Sequence, residues 1–249
     1  MSALELGAET AWWVGKVAVV TGGSHGIGLA VVSALAGVGA RVVTGARSTS
    51  AELETLLAAD DVTFVPVDLT DAAAPAALVS AAGERVDLLI NNVGTSTPRP
   101  AGFTSVTDAD WSESFDLNVM AAVRAMRSAV MRMRPGSAIV NVTSDNARLP
   151  DPRLVDYGAA KAALASVTKA LAVELAPRGI RVNAVSPGPA RTRRWATDDA
   201  RHAAAARMPT GRLTTPHEVA AAVMMLAGPD SANTTGATWT VDGGLIPVV

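Results

Sequence analysis

Tyr157 and Lys161 stand four residues apart in the stretch D-Y-G-A-A-K-A-A-L, Asp156 to Leu164, and Tyr157 is the only tyrosine in 249 residues. Side chains four apart on a helix share a face. A free phenol has a pKa of about 10 and is a poor proton donor or acceptor at neutral pH. An ammonium beside it favours the phenolate and lowers that value, so the pair could do general acid–base work near neutrality. Taken alone, Y-x-x-x-K is more often a buried aromatic followed by a solvated lysine. The chemical reading therefore depends on what else the fold brings beside these two residues.

A second candidate lies near the start. A β-branched run, Val17–Val20, leads into T-G-G-S-H-G-I-G, Thr21 to Gly28, and a helical pattern follows. Glycines let the chain turn tightly and let backbone approach a ligand. The free N–H groups and positive dipole end of the following helix suit a pyrophosphate. The loop does not end in Gly-Lys-Ser/Thr, so it is not a P-loop. Gly22, Gly26 and Gly28 are spaced G-x-x-x-G-x-G rather than G-x-G-x-x-G.

The elements that must position these residues are legible as alternation. Short apolar runs of strand length occur at Val17–Val20, Arg41–Thr44, Val62–Val65, Asp87–Ile90, Ala138–Val142, Arg181–Val185 and Thr238–Val241. Both faces of each are apolar, as a sheet covered by helices requires. Between them the pattern predicts helices at Ile27–Val38, Ala51–Ala59, Ala72–Ala82, Asp108–Met133, Val155–Leu175 and His217–Ala227. Strand–helix alternation reads as βαβ units and a parallel sheet. No Gly/Pro/Ser-rich linker divides the chain. Residues 15–249 are expected to form one domain, and residues 1–14 an N-terminal extension in which Trp12 and Trp13 pack on a surface. Pro187–Arg207 shows no clear periodicity and reads as a long binding loop.

T-G-x-x-x-G-x-G after a first strand resembles the short-chain dehydrogenase/reductase family, in its short single-domain branch. N-N-V-G (Asn91–Gly94) follows the fourth strand where the family has N-N-A-G, with Val93 as a mild departure. Asn118 falls in the long helix where the family carries an asparagine, and Ser144 follows the fifth strand, ahead of Y-x-x-x-K. P-G-P-A-R-T (Pro187 to Thr192) follows the sixth strand, and V-D-G-G closes the pattern at Val241 to Gly244. The resemblance spans nearly the whole chain. It implies a Rossmann-type doubly wound α/β fold with a mainly parallel seven-stranded sheet flanked by helices on both faces. It further implies an oxidoreductase that interconverts a carbonyl and a secondary alcohol. Tyr157 would protonate the developing alkoxide, Ser144 would hydrogen-bond the same oxygen, Lys161 would also hold the nicotinamide ribose, and Asn118 would support a water-linked relay to Lys161.

The cofactor-binding residues the resemblance implies are Gly22, Ser24, His25, Gly26, Ile27, Gly28, Arg47, Asp68, Leu69, Asn92, Gly94, Tyr157, Lys161, Pro187, Gly188 and Thr192. An NAD-preferring enzyme usually ends its second strand in a carboxylate for the ribose 2′-hydroxyl. By family register Ala46 stands there and Arg47 follows, so nothing repels a 2′-phosphate and an arginine is present to pair with it. The bland alternative for Arg47 is a solvated loop charge. NADP(H) is expected, with NAD(H) as the alternative.

The substrate wall is expected from Thr95–Thr97, Asn146–Leu149, Leu154 and the Pro189–Trp195 loop, with Trp195 either stacking on substrate or capping the core. Arg191, Arg193 and Arg194 form a basic cluster that reads either as a solvated face or as a site for an acidic or carrier-borne substrate. The resemblance extends equally to 3-oxoacyl-acyl carrier protein reductases and to sugar, steroid and secondary-metabolite ketoreductases. A cofactor-binding sensor that kept the fold without turnover is the other class of function, since fold does not fix function.

Composition narrows the rest. A formal net charge of −2 gives no basic footprint for nucleic acid. No cysteine is present, which removes disulfides and thiolate metal sites. His25, His202 and His217 lack metal-ligand spacing, so no metal is expected. There is neither a secretory start nor a membrane-length apolar run, and a cytoplasmic protein is the default. The alanine-rich helices and the resemblance imply a homo-oligomer, a tetramer. Its interface is expected to use Met120, Val123 and Met126 on one helix, Ala163, Ala165 and Ala170 on the other, and the C-terminal residues from Gly243.

Overall fold

A computed structural model of the chain describes residues 11–58, 61–192 and 197–247. Seven β-branched segments pair into one sheet: β1 (Val17–Thr21), β2 (Arg41–Ala46), β3 (Val62–Pro66), β4 (Leu88–Asn91), β5 (Ala138–Val142), β6 (Arg181–Pro187) and β7 (Thr238–Val241). Their order is β3-β2-β1-β4-β5-β6-β7, and every neighbouring pair is parallel. The winding reverses between β1 and β4. In sheets of this kind ligands bind at that switch point, beyond the carboxyl ends of the strands.

Two apolar layers cover the sheet. One contains α1 (Gly26–Gly37) and α8 (Pro216–Ala227), packed around Val31, Leu35, Val223 and Leu226. The other contains α3 (Ala74–Ser80), α5 (Ala121–Val130) and α6 (Val155–Leu175), packed around Leu78, Met126, Leu164 and Leu175. The central strands β1, β4 and β5 are buried throughout, as double coverage requires. The edge strand β7 is not: Thr238 and Trp239 are exposed.

Helix starts follow local chemistry. Ser50 caps α2 (Ala51–Leu57), and Thr107 forms a capping box with Asp110 at α4 (Asp108–Phe115). Thr215 and Glu218 do the same at α8. Three expectations change. The helix anticipated across Asp108–Met133 is divided into α4, a π-helical turn at Asp116–Met120, and α5. The stretch read as aperiodic contains α7 (Asp198–Ala205), capped by Thr197. Met126, expected on an outer face, is 2% exposed and lies in the core.

Of the expected N-terminal extension, residues 11–14 are described. Trp13 is buried against Gly228 and meets Trp12 edge-on, with ring centroids 4.9 Å apart. No helix among the described residues is long and apolar enough to cross a membrane. No group of three or more His, Cys, Asp or Glu among them could hold a metal ion.

Candidate active site

The glycine loop leaves β1 at the switch point. Gly22 and Gly26 adopt φ of 71° and 56°, a region that side chains other than glycine rarely enter. The loop is tied down on two sides. Gly22 N donates to Gly45 O at 2.8 Å, and Gly23 N donates to Thr44 Oγ1 at 3.1 Å. Asn92 Nδ2 donates to the carbonyls of Thr21 and Gly22, at 3.0 and 3.1 Å. Thr21 Oγ1 in turn accepts from the backbone of Asn92 and Val93. The side chain of Asn92 thus holds the loop itself. Gly28 packs directly against the Gly22 carbonyl.

Helix α1 begins at Gly26 behind His25, which makes no side-chain cap, and its first turn carries no acidic residue. By contrast α2, α4, α7 and α8 each have a capping side chain and acidic residues in the first turn. The N-terminal N–H groups of α1 are therefore left for another acceptor, which is what a pyrophosphate would need. Ser24 Oγ lies 3.0 Å from His25 Nδ1, and Ile27 is half-buried on the first turn. Thr192 reaches over the loop: a Cβ on Gly26 would stand 3.3 Å from its Cγ2.

Arg47 is exposed at the end of β2. Asp68 is exposed beyond β3, and its carboxyl is held below the usual range first by the backbone N–H of Thr70, then by the Thr70 hydroxyl, with a smaller contribution from the nearby Arg47 charge. Leu69 buries its side chain in the core, so its main chain is what it offers a ligand. Pro187 ends β6, and Gly188 packs on Asp242 with its N–H donating to Val241 O. These residues could hold a dinucleotide laid across the strand ends. Arg193, Arg194 and Trp195 lie outside the described residues.

On the other side of the switch point, α6 carries Tyr157 and Lys161. Lys161 is buried, and its Nζ donates to Val142 O at the end of β5, 2.9 Å away. The same nitrogen lies 5.9 Å from the centroid of the Tyr157 ring. Burial lowers the ammonium pKa from 10.5 to about 8. Asn118 sits in the π-helical turn, a feature that often marks functional positions. Its Nδ2 donates to Thr95 O and Ser114 O, both at 2.9 Å, and its Oδ1 accepts from Thr95 N at 3.1 Å. Gly94 fits between the two: a Cβ there would meet Asn118 Oδ1 at 2.7 Å and Lys161 Nζ at 2.9 Å.

Ser144 follows β5 and starts a turn of 3-10 helix, Asp145–Ala147. That turn rests on α6, since a Cβ on Gly158 would lie 3.1 Å from Asn146 O. Tertiary packing thereby brings Ser144, Tyr157, Lys161, Asn118 and Gly94 to one region.

Three charged residues at this site, Asp145, Arg99 and Asp156, are not resolved by the sequence pattern. Asp145, 7% exposed, accepts a hydrogen bond from Ser144 Oγ at 2.8 Å. Arg99 donates to Asp156 at 2.8 Å and to Asp110 at 2.8 Å, pinning the loop after β4 to the start of both α4 and α6. Asp156, immediately before Tyr157, is 2% exposed. The available signal was an acid beside Ser144 and another beside Tyr157, but their burial could not be read from the pattern.

Residues 22–246 match the family model described as enoyl-(acyl carrier protein) reductase. The chain is 35% identical to 3beta-hydroxysteroid dehydrogenase 1 of Eggerthella lenta, covering 93% of this chain and 94% of that protein. It is also 35% identical to the 3-oxoacyl-acyl-carrier-protein reductase FabG of Vibrio cholerae, covering 93% and 97%. Among solved structures, a blue fluorescent protein from a metagenomic library in complex with NADPH superimposes with a TM-score of 0.86 at 34% identity, covering 93% of this chain and 98% of that one.

Proposed function

This chain belongs to the short-chain dehydrogenase/reductase family of oxidoreductases, and on that premise we propose that it interconverts a carbonyl and a secondary alcohol using NADP(H). The observation that carries the reading is the Lys161 ammonium, buried and fixed within reach of the Tyr157 ring and directly behind Gly94 and Asn118. A lysine held there has little structural use, since its burial is costly.

Nicotinamide, when bound, supplies the hydride. The uncapped start of α1 would hold its pyrophosphate and Arg47 its 2′-phosphate, with Asp68 and Leu69 beside the adenine. Gly94, Pro187, Gly188 and Thr192 would border the nicotinamide half, and Lys161 would reach the ribose hydroxyls. In reduction Tyr157 gives its phenolic proton to the carbonyl oxygen as negative charge develops there. Ser144, whose hydroxyl donates to Asp145 Oδ1 in this structure, would turn that proton to the same oxygen once substrate is bound. The Lys161 charge makes the phenol more acidic, and Asn118 supports a water-linked route by which Tyr157 is reprotonated.

The substrate is a small carbonyl or alcohol, or one presented on a carrier, as the name of the Vibrio relative suggests. We place the reaction in the cytoplasm, and we propose a homotetramer, for which the exposed Met131, Val173 and Trp239 offer apolar surface to bury. Carbonyl and alcohol compounds screened with NADPH and NADH, followed by nicotinamide absorbance, test the activity. Absence of turnover for every compound despite nucleotide binding would overturn it. Light scattering tests the assembly: a mass near 25.3 kDa rejects any assembly, and a mass near twice that rejects the tetramer.

A further inference from the structure

The turn after β5 places an acid against the serine of the site. Asp145 Oδ1 accepts from Ser144 Oγ at 2.8 Å, from Asn146 N at 2.8 Å and from Asn146 Nδ2 at 3.0 Å. Asn146 is fixed in turn by Asp151 N, which donates to its Oδ1 at 3.0 Å. The carboxylate therefore has one orientation. Its other oxygen, Oδ2, accepts from no described residue and is not wholly sealed from solvent, although Asp145 as a whole is 7% exposed.

A pure turn residue would not need this arrangement. Ser144 already closes the turn, because its own Oγ accepts from Asn146 N at 3.2 Å. A carboxylate with one oxygen fixed and the other unbonded, beside the hydroxyl assigned above to the reacting oxygen, would act on whatever the substrate carries next to its carbonyl. A hydroxyl or ammonium there gains a charge-assisted hydrogen bond. A carboxylate there meets a like charge in a partly desolvated site, where repulsion is weakly screened.

We propose that Asp145 is a specificity-determining residue, and that the unbonded oxygen of its carboxylate selects carbonyl substrates bearing a hydrogen-bond donor on the adjacent carbon and rejects oxo acids. The proposal rests on the oxidoreductase reading above and deepens it by naming the substrate class.

The test uses three compounds of one carbon skeleton: a methyl ketone, its hydroxymethyl analogue and the corresponding α-oxo acid. The readout is the ratio of kcat/KM for the hydroxy ketone over that for the oxo acid, in the full chain and in Asp145→Asn. Asparagine keeps an acceptor for Ser144 and Asn146 and removes the charge. Nicotinamide binding and Tm establish that the variant is folded. The ratio should exceed one in the unaltered chain and fall about tenfold or more in the variant, as expected for loss of a charged hydrogen-bond partner. The variant should also gain on the oxo acid relative to the plain ketone. A ratio that does not move overturns the proposal, because a purely structural Asp145 would scale all three substrates alike.

Where no compound is turned over, the same ratio is read from affinities, by protection against thermal unfolding with oxidised nucleotide bound. Discrimination that Asp145→Asn abolishes would then sustain the role of Asp145 while the oxidoreductase reading fails. Equal or unmeasurable affinities would overturn the role.

Discussion

Lys161 reaches past Tyr157 to the end of the neighbouring strand: its Nζ lies 2.9 Å from Val142 O and 5.9 Å from the Tyr157 ring centroid. One hydrogen bond to a backbone carbonyl fixes where the charge sits, and four residues of helix fix where the phenol sits relative to it.

Removal of the Tyr157 hydroxyl alone tests the acid–base assignment. Tyr157→Phe should lose about 100- to 10,000-fold in kcat, the range for a positioned general acid. NADPH affinity should be largely kept, because the ring still packs. A Phe variant with near-normal kcat would show that the proton comes from elsewhere.

The buried ammonium of Lys161 makes folding depend on pH, and the sign can be worked out. Burial lowers its pKa from 10.5 to about 8. Between those values the unfolded chain holds a proton that the folded chain has released, so stability rises with pH across that window. Below about pH 8 the full cost of the buried charge is present. Lys161→Met removes this contribution. Urea midpoints of the nucleotide-free proteins near pH 7.5 and 9.5 should show the unaltered chain gaining on the order of 1–2 kcal/mol on the variant. Parallel behaviour of the two would mean that the ammonium is better solvated than its burial indicates.

Arg47→Ala should weaken NADPH binding roughly 10- to 150-fold, the equivalent of one hydrogen bond to a charged group, and leave NADH binding nearly unchanged. Isothermal titration with both nucleotides measures this. Equal losses for the two would refute the phosphate contact.

Gly94→Ala should disturb the site by steric means alone. The added Cβ would stand 2.7 Å from Asn118 Oδ1 and 2.9 Å from Lys161 Nζ. Both atoms are hydrogen-bonded in place and cannot move aside freely. A loss of about 1–3 kcal/mol in stability is expected from overpacking, together with a fall in turnover. Gly37→Ala is the control: it lies at the end of α1 with no atom within 4 Å of the added Cβ, and helix propensity predicts a gain of up to about 1 kcal/mol. Thermal melts of both variants decide the matter, and a stable, active Gly94→Ala protein would count against the packed arrangement.

Much of this protein was determined by sequence alone, and the reasons are local. Parallel strands covered on both faces must be apolar throughout, so Val17–Val20 and Ala138–Val142 announced themselves. The turn at Gly22 and Gly26 demands φ values that only glycine adopts readily, so the loop was legible as well. Tyr157 and Lys161 share a face by helical period. What tertiary structure alone decided is how distant segments meet. The π-helical turn at Asp116–Met120 interrupts a helix whose apolar period continues through it, and Asn118 is held there by Thr95, 23 residues earlier in the chain. Met126 turned inward because α5 packs against α3 and the sheet, a relation that no heptad count reveals. Asp145 and Asp156 are ordinary acids in the sequence. Their burial comes from segments distant along the chain, as where Arg99 reaches Asp156 from 57 residues away, because desolvation depends on everything that surrounds a group and not only on its neighbours along the chain.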